Sequence, residues 1–208
     1  HLSLRRQRQM CIRDRVRTVV SVAVQGVSDG SGMQYVKEWA AMFKNPMMWL
    51  NIAALPINYF FVFIAFFGEE YGWRYYLQPV LQKRFGLRAG VIILGVVWGL
   101  WHIPDDLFYY TQTSGIQMIF AQQITCISLG IFFAYAYMKT QNIWVPVCLH
   151  YLNNNLIPII SGTFSADVLE NQTVSWKDLP VALVLNGLCF GFFLLADVFK
   201  KKEVQEEE

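Results

Sequence analysis

The sequence predicts an all-α fold, a polytopic transmembrane helix bundle with about five spans. Three observations carry that expectation. Of the 208 residues, 55% are hydrophobic and only 15% charged, and the mean hydropathy of +0.33 is high for a water-soluble domain. The apolar residues are also gathered into stretches of about the 20 residues needed to cross hydrocarbon, separated by short polar breaks.

In chain order, residues 1–15, HLSLRRQRQMCIRDR, hold five arginines and one aspartate, a net of +4. The chain as a whole carries +2, so the remainder is at −2 and the basic excess is one tail. This opening lacks the apolar core of a secretory signal and reads as a foreign or disordered leader. No aromatic or motif support accompanies it for nucleic acid, so the expected partner is membrane lipid and not a polynucleotide. Residues 16–48 contain only the short apolar run VRTVVSVAV and read as a truncated span.

A single domain is expected over 49–199, with spans at 49–81, 89–108, 117–138, 142–162 and 180–199, followed by a charged tail at 200–208. The first span contains GEEYGWRYYL at its polar end, the second ends in VVWGLWHIPDDL, and the fourth contains VCLHYLNNNL. The cysteines at 11, 126, 148 and 189 stand singly, with neither a CxxC pair nor a secreted disulfide pattern, and read as small apolar fillers.

Lys and Arg placement orients the bundle, because cytoplasmic loops carry the positive excess. Lys200, Lys201 and Lys202 put the C-terminus in the cytoplasm. Lys139 and the Lys83, Arg84, Arg88 connection fall on the same side, and the acidic 163–179 and PDDLFYYTQTSG connections fall opposite. At about 1.5 Å per helical residue, Glu69 lies roughly 21 Å from Lys83, and His102 lies roughly 21 Å from Arg88. His150 and Asn154 lie roughly 17 and 22 Å from Lys139, so all four polar residues can share one layer.

Adjacent helical residues point about 100° apart, so Glu69 and Glu70 cannot both face one cavity. Glu70 and Arg74 are four apart with the acid first, the favourable orientation for an ion pair. Uncompensated charge in low dielectric is expensive, so that pairing leaves Glu69 as the carboxylate free to act. His102 can accept or orient a proton near neutral pH, although an interfacial histidine in the Trp98/Trp101 belt would look the same in sequence. Asp105 and Asp106, after Pro104, are expected to be solvated at the outer interface. His150 and Asn154 share a helix face and can donate hydrogen bonds to an oxyanion. Asn153 and Asn155 are expected to serve as an interhelical clasp.

Together these motifs, Glu69-Glu70-x-x-x-Arg74, Trp98-x-x-x-His102 and His150-x-x-x-Asn154, in this order on successive spans, resemble those of the CPBP family over about residues 49–163. That family contains the CAAX prenyl proteases and the bacterial Abi or bacteriocin-immunity proteases. The resemblance implies an intramembrane glutamate-dependent endopeptidase acting on a membrane-associated peptide or lipidated protein. Glu69 would be the general base, His102 its assistant, and His150 with Asn154 the oxyanion site, while Glu70 and Arg74 would give structural support. Zinc held by Glu69, His102 and His150 stays open beside metal-free water activation. Two departures stand out: Trp98 occupies the usual Phe position of the second motif, and few spans precede the first. Two other classes fit the same residues, a proton- or ion-coupled transporter and a catalytically idle membrane scaffold or immunity factor.

Overall fold

The computed structural model describes residue 37, residues 40–161 and residues 170–200. The expectations for residues 1–15, for most of 16–48 and for 201–208 lie outside the described residues. Every regular element within them is helical, with no strand among the described residues.

Helix α1, Pro46–Glu70, starts where the Asn45 side chain accepts a 2.9 Å hydrogen bond from the Met47 amide, and Pro46 occupies a position where its missing N–H costs nothing. It runs without a break into a π segment, Tyr71–Leu77, and then into α2, Gln78–Phe85. The predicted 49–81 span is therefore the middle of one continuous 40-residue element. Gly86, at φ +87°, supplies the left-handed turn that reverses the chain into α3, Leu87–Trp101. His102 joins α3 to the short α4, Ile103–Phe108.

Helix α5, Gly115–Thr140, lies at the centre of the bundle. One core cluster joins its Ile131 and Ala134 to Val91 of α3 and to Phe199, and a second joins Cys126, Leu129 and Phe133 to Trp98. Gly95 is what lets α3 come so near: a Cβ there would stand 2.6 Å from Ile127 Cα. Helix α6, Trp144–Ser161, follows after a left-handed turn at Gln141, and α7 covers Asp178–Cys189.

Three of these elements are long and apolar enough to cross a membrane, Pro46–Phe85, Leu87–Phe108 and Gly115–Thr140. The other two predicted spans are helical but differ in character. In α6, His150 and the three asparagines interrupt the apolar run. The 180–199 stretch stops its α-helix at Cys189 and tightens into 3-10 turns at Gly191–Leu195 and Asp197–Phe199. Those turns fold Phe193, Leu194 and Phe199 against the end of α5, burying apolar surface that a straight helix would carry past it.

Candidate active site

The polar centre is built where the end of α1 and the π segment meet α6 and α3. Glu70 and Arg74 are both fully buried. Arg74 Nε lies 3.0 Å from Glu70 Oε2, an ion-pair distance at which the N–H is not aligned for a hydrogen bond. The other Glu70 oxygen, Oε1, lies 3.0 Å from Nδ1 of His150. An ionised carboxylate only accepts, so Nδ1 of His150 bears a proton and Nε2 is left facing away from Glu70. The arginine is also held by aromatic faces, with Cζ 5.2 Å from the Trp98 ring centre and 5.5 Å from that of Phe133.

Glu69 is differently placed. It is half-buried, and its Oε2 is shielded with no hydrogen-bond partner among the described residues. The two adjacent carboxylates thus have unequal environments: Glu70 is ion-paired with Arg74 and bonded to His150, whereas Glu69 has no ion pair or hydrogen bond among the described residues, although an oxygen of each lacks a hydrogen bond.

His102 caps α3 with Nδ1 2.9 Å from the Trp98 carbonyl oxygen. A carbonyl cannot donate, so this nitrogen bears the proton and Nε2 is an acceptor. The Cys126 sulfur is 3.8 Å from the same Nδ1. The Trp98 ring touches both imidazoles edge-on, at 5.8 Å from His102 and 5.4 Å from His150. Trp98 in place of Phe therefore forms a wall common to the two histidines, its indole N–H adding a polar edge that a phenyl lacks.

Asn154 is exposed and accepts a 2.9 Å hydrogen bond from Asn153, whereas His150, one turn earlier, is buried against Glu70. Asn153 thereby serves its neighbour and not a clasp. Asn155 does belong to a clasp: Asn58 on α1 reaches Tyr151 Oη at 3.1 Å and Asn155 at 3.5 Å, and Tyr151 donates to the Leu55 carbonyl at 2.7 Å. This locks α1 to α6 beyond the site.

The expectation for Asp106 is corrected. Asp105 is exposed, but Asp106 is fully buried with neither carboxylate oxygen partnered among the described residues. The available signal was its spacing, four residues after His102, which puts the two on one helix face; the Asp106 amide indeed bonds the His102 carbonyl at 2.9 Å. Composition alone favours solvent.

Among the described residues no group of three His, Cys, Asp or Glu side chains converges as a metal would require. Glu69, His102 and His150 are not gathered into such a group, His150 meeting Glu70 through Nδ1.

A buried carboxylate–imidazole–guanidinium cluster at the heart of an apolar helical bundle defines a membrane-embedded polar site of the kind retained for function. The chain belongs to the type II CAAX prenyl endopeptidase Rce1-like family, whose profile matches residues 51–156, about half of it. It is similar to a CAAX prenyl protease 2 of Methanococcus maripaludis, with 27% identity over 125 residues. That alignment covers 56% of this chain and 45% of the relative, so the chain spans under half of the relative's length. No solved structure matches.

Proposed function

We propose that this protein is an intramembrane endopeptidase that uses Glu69 to activate water for peptide-bond hydrolysis. The observation that carries this is the inequality of the two glutamates: Glu70 is engaged by Arg74 and His150, and Glu69 retains a shielded oxygen without a protein partner. Glu69 takes a proton from water as the oxygen adds to the scissile carbonyl, and returns it to the leaving amine as the C–N bond breaks. The Nε2 lone pair of His102 orients that water. His150, aligned by Glu70, supports the developing oxyanion when its Nε2 bears a proton, the imidazolium charge being balanced by Glu70. Asn154 joins it by donating from Nδ2 while its Oδ1 accepts from Asn153. Glu70 and Arg74 hold the histidine in place.

The family and the name of the archaeal relative support a prenylated CAAX-type C-terminus as the substrate class. Bacteriocin-immunity processing has no comparable support. The clustered Lys83, Arg84, Arg88 and Lys139 support a cytoplasmic side for those connections and for the C-terminus. The test is cleavage of a prenylated CAAX peptide in proteoliposomes. Glu69→Gln should lower kcat by about 10²-fold or more, and a Glu69→Gln variant that cleaves like the parent removes the proposal. Proton-coupled transport is the second reading, favoured by the unpartnered Asp106 one turn from His102. It requires proton flux in the same liposomes without peptide.

A further inference from the structure

Each cleavage consumes one water, so a site enclosed by hydrocarbon must be refilled on every turnover. The structure contains a set of polar atoms suited to that supply. From the end of α1 through the π segment into α2, Glu69 Oε2, Glu70 Oε2, Arg74 Nε, Nη1 and Nη2, and Gln78 Oε1 are all shielded and have no hydrogen-bond partner among the described residues, the Glu70–Arg74 ion pair apart. The indole nitrogens of Trp73 and Trp98 share that condition. Gln78 is 1% exposed, and its amide nitrogen contacts Gln82 at 3.4 Å. Gln82 is half-buried and adjoins the exposed Lys83 and Arg84.

Buried polar groups are ordinarily paired, and a cluster left without protein partners calls for an explanation. Its chemistry is mixed. The guanidinium and indole groups only donate, whereas the Glu69 and Gln78 oxygens only accept. Trp98 and Phe133 offset part of the Arg74 charge but offer no oxygen to its Nη protons. A ligand that satisfies the set must accept from the first group and donate to the second, and water does both.

We infer that a file of about three or four buried waters, spaced at hydrogen-bond distance over on the order of 10 Å, runs from Gln78 past Arg74 to Glu69 and replenishes the hydrolytic water. Its mouth is the Gln82 end, beside the basic turn. This rests on Glu69 being the base, and the test separates the two ideas.

The experiment is millisecond hydroxyl-radical footprinting of the full chain in lipid nanodiscs, read by mass spectrometry at each tryptophan, together with steady-state cleavage. The exposed Trp176 is the internal reference. Trp73 and Trp98 should label in the parent within about tenfold of Trp176, although Trp98 is 3% exposed. Gln78→Met, of native length but without a polar atom, should cut both that labelling and kcat by about tenfold with KM within twofold, the effect of losing one water-anchoring hydrogen bond. Gln78→Ser, smaller but able to bind water, should retain both. Absence of label at Trp73 and Trp98 in the parent overturns the file, as does a Gln78→Met variant that labels and turns over normally. Gln78→Ser performing worse than Gln78→Met would assign Gln78 a packing role instead. Glu69→Gln should abolish turnover with labelling intact; full activity there would sink Glu69 as base while labelling still judged the file.

Discussion

Exchanging each glutamate separately for glutamine should divide stability from catalysis. Glu70 is fully buried, with Arg74 Nε and His150 Nδ1 each 3.0 Å away. Glu70→Gln keeps the volume and an oxygen for His150 but deprives the buried Arg74 guanidinium of the counterion 3.0 Å away. Removing one partner of a buried pair costs about 3–5 kcal/mol. At about 2–4 °C per kcal/mol for a chain of this size, Tm should fall by roughly 6–20 °C. Glu69→Gln removes no protein contact of the shielded oxygen, so Tm should stay within a few degrees while cleavage is lost. Arg74→Met should be destabilising for the same reason as Glu70→Gln, and the double variant should recover most of the loss because neither charge is then stranded. The measurement is thermal unfolding followed by tryptophan fluorescence in detergent, in parallel with proteoliposome cleavage. Equal destabilisation by the two single glutamine variants, or additive losses in the double variant, would refute the division into brace and base.

Three further outcomes are expected. Gly95→Ala should destabilise by about 1–3 kcal/mol, since its Cβ would stand 2.6 Å from Ile127 Cα and force α3 from α5; Gly68→Ala, with nothing within 4 Å, should be neutral or slightly stabilising in the same unfolding assay. Asp106→Asn should leave Tm unchanged or raise it, because an unpartnered buried carboxyl costs about 1–3 kcal/mol; a marked fall would show that Asp106 has a partner. Prolonged treatment with a strong zinc chelator should leave turnover unchanged, given that Glu69, His102 and His150 form no three-donor set; a loss restored by zinc would overturn this.

Much of the architecture was legible because it depends on local pattern. Apolar runs near the length of a span identify the long helices, and Gly86 marks the turn after the first. The Glu70–Arg74 pair follows from i,i+4 spacing on one helix, a distance that the backbone alone guarantees. Even the layer shared by the first-motif glutamates and His150 follows from counting residues, since rise per residue is nearly constant. The helical break at Cys189 was harder to see, because the 3-10 turns beyond it are favoured by contact with α5 and not by any proline in their own sequence.

What the sequence by itself determined is therefore axial: which residues are helical, how deep each lies, and which neighbours on one helix can pair. The tertiary structure decided the azimuth. Glu69 and Glu70 differ by about 1.5 Å in depth but by about 100° in direction, so counting places either beside His150. Only the packing of α1 against α6 selects Glu70 for that imidazole. The same rotational freedom buries Asp106 while exposing Asp105, and buries His150 while exposing Asn154. Helix rotation costs little in backbone hydrogen bonding, which is satisfied within each helix, so it is set by side-chain contacts between helices distant in the chain.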